Sequence, residues 1–292
     1  MKDGTAGPLV EPQAVKSGGV MTRVVSGVIA LPPVLAAIHF GAPFFTLFIV
    51  AGSLILWWEW CHLCGQSVRA PASLAGAGFV LAALFATAAG RPEAGLAFAA
   101  AGSVLAWVWA AATGREADRH RPLGDWGGSR WIALGVLYIG VPALLLLWLR
   151  DEVGRLTVYW LFILVWATDT GAYVFGRAIG GPKLAPRISP KKTWAGLAGG
   201  MLCAAMIGGG FAAALKVEGW AALGAVSAGL AVIAQIGDLF ESWVKRRFGV
   251  KDAGGIMPGH GGLLDRVDGL LTAVVVAALI TMIDGDRVLV WL

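Results

Sequence analysis

The stretch Ser242 to Asp268, SWVKRRFGVKDAGGIMPGHGGLLDRVD, is polar, punctuated by glycine and rich in both signs of charge. It lies between two apolar runs, at 219–240 and 269–284, of the order of a bilayer crossing, which takes about 20 residues. Charge is costly where water thins out to lipid. Aspartates and basic residues held there mark a substrate or ion site, so the search for function begins in this segment.

Composition supports the same reading. The chain is 58% hydrophobic and 14% charged over 292 residues, against roughly 45–50% apolar and about 25% charged in soluble domains. A mean hydropathy of +0.74 excludes a soluble fold. Working outward, further apolar runs fall at 24–39, 42–62, 73–89, 92–113, 131–149, 157–178 and 194–215. The expectation is an all-α polytopic membrane protein of about nine spans. Leu31, Pro32 and Pro33 interrupt the first run, which is read as kinked or as half of a hairpin with the second. Residues 1–22 lack the charged start and apolar core of a signal peptide and read as a disordered cytoplasmic tail, leaving 23–292 as the membrane domain.

Alternate loops of such a bundle face opposite compartments, and Lys and Arg collect on the cytoplasmic side. Only Arg91, Arg150, Arg155, Lys216 and Arg287 of the 23 basic residues fall on the sparse side. The N-terminus is therefore expected inside, and the loops 179–193 and 245–268 share the cytoplasmic face. Three cysteines are too few for a disulfide framework, and the Cys61/Cys64 pair, ending an apolar run, reads as structural.

Asp238, Glu241, Ser242 and Lys245 fall at i, i+3, i+4 and i+7 and share a helix face, as do Asp265 and Asp268 across the loop. Several carboxylates at one interface suit Mg²⁺, which takes hard oxygen ligands and bridges carboxylates to phosphates. Ordinary ion pairs, Asp265 with Arg266 or Asp238 with Lys245, are the alternative. Gly254, Gly255, Gly259, Gly261 and Gly262 let backbone amides approach a phosphate. Lys245, Arg246, Lys251, His260 and Arg266 add cationic donors, or are simply positive-inside residues. The second loop repeats the theme with Arg177, Lys183, Arg187, Ser189, Lys191, Lys192 and Thr193. Asp169 lies inside the sixth run, followed by Thr170 and Tyr173; it reads as a site residue or as a structural partner of Arg177 or of a neighbouring helix. Glu59, a single glutamate near the end of the second run, decides little. There is no Walker A motif and no GxSxG elbow.

The Ser242–Asp268 stretch closely resembles the signature of the phosphatidate cytidylyltransferase (CDP-diacylglycerol synthase) family. QIGDLFES at 235–242, DTGAY at 169–173 and ISPKKTW at 188–194 look like the same family's pattern. One departure is Ala195, where the family often has glutamate before the glycine. The resemblance implies that CTP and phosphatidic acid give CDP-diacylglycerol and pyrophosphate, with Mg²⁺ as cofactor and room for a second, monovalent or divalent, cation. It implies metal ligation by Asp238, Asp265 and Asp268, with Lys245 and Arg266 beside them in catalysis. Asp169, Tyr173, Ser189, Lys191, Lys192, Thr193, Ser242, Arg246, Lys251, Asp252, His260, Gly261 and Gly262 are the residues expected to bind substrate. The expected partners are CTP, phosphatidic acid and membrane lipids, with a homodimer admissible and nucleic acid excluded. The expected location is a bacterial inner membrane with the site facing the cytoplasm. A CTP-dependent polyprenol or phytol kinase would share the nucleotide and Mg²⁺ but not the 242–268 signature. An ion-coupled transporter would not need two phosphate-suited loops on one face.

Overall fold

A backbone surrounded by lipid satisfies its own N–H and C=O groups most simply as a helix, and the described parts of the apolar runs are mainly helical. A computed structural model describes residues 31–117, 128–216, 218–256 and 261–284. The expected tail at 1–22 lies outside them. Among the described residues the helices are α1 (Leu31–Phe40), α2 (Phe44–Leu63), α3 (Pro71–Ala88), α4 (Pro92–Ala117), α5 (Gly128–Trp148), α6 (Arg155–Ala178), α7 (Trp194–Ala214), α8 (Trp220–Arg247) and α9 (Leu264–Asp284). Seven stretches are long and apolar enough to cross a membrane, those of α2, α3, α5 with its π-helical extension to Val153, and α6 to α9. The 26-residue α4 has the length for a crossing. The chain is an all-α polytopic membrane protein, and Pro32 and Pro33 stand in the first turn of the described part of α1.

The helices alternate in direction, which gives the bundle two ends. At one end Trp60 Nε1 donates to the Trp131 carbonyl at 2.8 Å, tying the end of α2 to the start of α5. Trp57 Nε1 donates to the Ser73 carbonyl at 3.1 Å in the first turn of α3. At the opposite end Arg150 Nε donates to the Ile38 carbonyl at 2.8 Å, and the Tyr159 hydroxyl donates to the Leu35 carbonyl at 2.9 Å. The turns at this second end are short. Ala89, Gly90 and Arg91 join α3 to α4, with Gly90 at φ +75°. All three are exposed.

At the first end α6 and α7 are joined by a hairpin, β1 (Lys183–Ala185) antiparallel to β2 (Ser189–Thr193). Lys183 pairs with Thr193 and Ala185 with Ser189, with an irregularity between them. The Thr193 hydroxyl accepts the Gly196 amide at 3.1 Å and caps α7. This small sheet was not expected from the sequence.

Small residues set how closely α6 to α9 approach. A Cβ on Gly200 would lie 2.9 Å from the Thr168 carbonyl, and one on Gly208 2.8 Å from the Leu223 carbonyl. These contacts press backbone against backbone, as small residues do between membrane helices. Gly210 meets nothing. Cys61 and Cys64 are buried free thiols beside Trp60, in agreement with a structural reading.

Candidate active site

α8 and α9 cross at two glycines. A Cβ on Gly237 would fall 2.6 Å from the Asp268 carbonyl, and one on Gly269 would fall 3.2 Å from the Ala234 carbonyl. Only glycine permits that approach, and it brings Asp238 and Asp268, each next to a crossing glycine, together. Asp268 is 9% exposed, and its Oδ1 accepts its neighbour's amide, Gly269 N, at 2.8 Å. Asp238 accepts the Ser242 hydroxyl at 3.3 Å through Oδ1, and its Oδ2 lies 2.6 Å from Lys192 Nζ. Lys192 therefore fastens the hairpin to α8. Asp169, on α6, interacts electrostatically with Asp238, Asp268, Lys192 and Arg266. Its neighbours are thus on other elements, whereas Arg177 donates to the Tyr173 hydroxyl at 3.3 Å.

A second cluster sits one helical turn further along α8. Lys245 is paired with Glu241 on its own helix and with Asp265 Oδ1 at 2.6 Å on α9. The other oxygen of Asp265 accepts two backbone amides, Gly262 at 2.8 Å and Ala253 at 3.1 Å. The Lys245 and Asp265 side chains are only 11% and 10% exposed, so these charge-assisted bonds act in a poorly hydrated setting. Asp265 is thereby engaged by a lysine and two amides. Among the ion pairs that form, Lys245 takes Asp265 and Lys192 takes Asp238.

The remaining expected residues divide between the two loops. On β2, Lys191 is exposed and Lys192 half-buried, while Ser189 is half-buried and Thr193 buried as the cap. Arg246 donates to the Val250 carbonyl at 3.4 Å, and Lys251 and Asp252 are exposed on the loop before α9. Gly261 has φ +84°, a conformation that favours glycine, and Gly262 is buried. Arg266 is exposed in the first turn of α9. His260 lies outside the described residues.

Among the described residues no three His, Cys, Asp or Glu side chains already form a metal cage. The donor set nonetheless suits a hard cation. Asp169, Asp238 and Asp268 come from three helices and offer oxygen alone, the donor type of a cation that bridges a few carboxylates to phosphate oxygens. Glu241 and Glu59 were not among the expected site residues, yet both side chains are fully buried at this end. Glu241 carried a signal, its shared face with Asp238 and Lys245. Glu59 carried none, because its partners lie 204 and 205 residues away. A groove of about 480 Å³ between α3 and α4 is apolar and contains no site residue.

Carboxylates and lysines from three helices and a hairpin, gathered at one end of a polytopic bundle, define a membrane protein built to handle anionic groups at the bilayer boundary. The chain belongs to the cytidylyltransferase family, whose model matches residues 21–283. It is similar to the phosphatidate cytidylyltransferase of Brucella suis biovar 1, with 52% identity over 151 residues, 50% of this chain and 55% of the relative. It is also similar to the enzymes of that name from Rickettsia bellii, 39% identical over 149 residues covering 48% of this chain and 64% of the relative, and from Staphylococcus aureus strain COL, 43% identical over 143 residues covering 47% and 53%. The chain spans about half the length of the first of these relatives that it matches.

Proposed function

We propose that the chain transfers the cytidylyl group of CTP to phosphatidic acid, forming CDP-diacylglycerol and pyrophosphate at the cytoplasmic face of a bacterial inner membrane. The carrying observation is the Lys192–Asp238 bridge, which joins the basic hairpin to the carboxylate-bearing crossing of α8 and α9. The names of the similar proteins support the choice of substrates. In the reaction a phosphatidate oxygen bonds to the CTP α-phosphorus while the bond to the pyrophosphate oxygen breaks. The lipid phosphate is already anionic near neutral pH, so no strong base is required. The barrier lies in bringing two polyanions into line, a task for fixed positive charge and positioning.

Lys191 and Lys192 on the hairpin, Arg266 on α9 and Lys251 on the loop are the groups suited to hold phosphate oxygens and neutralise the departing pyrophosphate. Lys245, clamped between Glu241 and Asp265, holds a fixed charge at the base of the site. Asp238 and Asp268, together with Asp169, would hold Mg²⁺, which when bound would neutralise phosphate charge. The site end carries Arg69, Arg130, Arg177, Lys183, Arg187 and Arg247 besides the site's own cations, while the described far end has Arg91, Arg150, Arg155 and Lys216. That imbalance supports the cytoplasmic orientation.

The test is purified protein in detergent with labelled CTP, phosphatidate and Mg²⁺, followed by separation of the lipid products. CDP-diacylglycerol formation that stops on chelation is the expected result. Pyrophosphate release without a nucleotide-bearing lipid, or phosphorylation of an added polyprenol, would refute the reading.

A further inference from the structure

Glu59 is an acidic side chain of α2 buried to 0% exposure. Its Oε1 accepts the Leu263 amide at 2.8 Å and its Oε2 the Leu264 amide at 2.7 Å. These amides open α9, and the first N–H groups of a helix have no partner within the helix. Capping normally comes from a residue just before the helix. Here it comes from a different span, and Asp265 takes the adjoining Gly262 amide. Negative charge at this position also meets the positive end of the helix dipole.

The loop before α9 is shaped around the same carboxylate. A Cβ on Gly254 would lie 2.6 Å from Glu59 Oε1, and one on Gly262 would lie 2.8 Å from Oε1 and 2.9 Å from Oε2. Both glycines are thus required to leave room for Glu59, which accounts for part of the glycine richness that suggested a phosphate loop.

We propose that Glu59 is a positioning residue for the site: from α2 it clamps Leu263 and Leu264 at the start of α9, and so sets where Asp265 holds Lys245. The proposal rests on the functional reading above. The linkage is short. Gly262 donates to Asp265, Asp265 holds Lys245 at 2.6 Å, and Leu263 and Leu264, the next two residues, are fixed by Glu59. Both Glu59 hydrogen bonds go to backbone amides, so its influence passes through the backbone.

Glu59→Gln removes one acceptor and sets an amide NH₂ against a backbone N–H. Glu59→Asp keeps both acceptors on a shorter stem. Gly254→Ala pushes the carboxylate aside and leaves its charge intact. Gly229→Ala, whose Cβ meets nothing within 4 Å, is the control. The readouts are kcat and KM for CTP per folded molecule, and hydrogen exchange of the Leu263 and Leu264 amides in the absence of substrate. Misplacing a reacting group by about 1 Å costs on the order of a hundredfold in rate. Glu59→Gln and Gly254→Ala are therefore expected to lower kcat on the order of ten- to a hundredfold, with KM for CTP within about threefold of the parent. Both should speed exchange at 263–264, and Glu59→Asp should recover part of the loss.

Parental kcat per folded molecule in both variants would overturn the proposal. So would an effect confined to KM, or unaltered exchange at the two amides. If Glu59→Gln does not fold, Gly254→Ala decides alone. A parent protein that made no nucleotide-bearing lipid would refute the functional reading, and the exchange measurement would still decide the clamp.

Discussion

The two loops at the site end are held in opposite ways. The hairpin of β1 and β2 supports itself through its own backbone pairing and the Thr193 cap, so its side chains are left to point outward or reach across, as Lys192 does to Asp238. The segment from Val250 to Leu263 has almost no regular pairing of its own among the described residues. Carboxylates hold it instead: Asp265 takes Ala253 and Gly262, and Glu59 takes Leu263. A loop with its own ladder displays its charges. A loop without one uses charges as its scaffold, and substitutions in the two should therefore fail differently.

The largest effect is expected from Asp265→Asn. It weakens the hold on Lys245 and on two amides, and activity should fall below detection. The geometry predicts a stability loss of about 1–3 kcal/mol, because asparagine cannot replace the ion pair or accept as many bonds from the buried donors, while Lys245 keeps Glu241 as its partner. Chemical denaturation in detergent reads this, and an unshifted midpoint would break the contrast between the loops. Next comes Lys192→Met, where loss of a charged donor aimed at the reacting groups should lower kcat/KM on the order of a hundredfold. The hairpin should keep its stability, and a large fall in melting temperature would show that Lys192 is also scaffold.

Gly261→Ala places a side chain at φ +84° and 3.0 Å from Asp265 Oδ2. It should cost about 1–3 kcal/mol, with activity falling in step, as a thermal melt paired with an assay will read. The smallest effect is expected from Lys191→Ala. This exposed residue should change stability by less than about 0.5 kcal/mol and raise KM for CTP a few fold, the more so at low ionic strength.

Most of the fold was legible because hydropathy and bilayer thickness impose one period on the chain. The apolar runs at 42–62 and 194–215 became Phe44–Leu63 and Trp194–Ala214. Where the reading fell short, the helix outlived its hydrophobicity. α8 continues to Arg247 and α9 begins at Leu264, because Asp238, Glu241, Lys245 and Asp265 form a polar helix face where the bundle leaves the apolar layer. The hairpin was not legible, since a five-residue strand that includes Ser189, Pro190, Lys191 and Lys192 has no apolar alternation to announce it.

At the site, spacing along one helix was readable and pairing across helices was not. The shared face of Asp238, Glu241, Ser242 and Lys245 followed from the helical period. That Lys245 would choose Asp265, and Lys192 would choose Asp238, depended on where separate elements pack. Glu59 is the extreme case, because nothing local distinguishes a glutamate that caps a helix more than 200 residues later.

The short connection through Ala89, Gly90 and Arg91 bears on how the molecule can be manipulated. Its residues are exposed and it sits at the opposite pole from every cation assigned to phosphate. Loop tips of this kind tolerate grafted sequence. A reporter enzyme that is active in only one compartment, spliced in at Gly90, would reveal which way the protein sits in a living cell while leaving the reaction centre undisturbed.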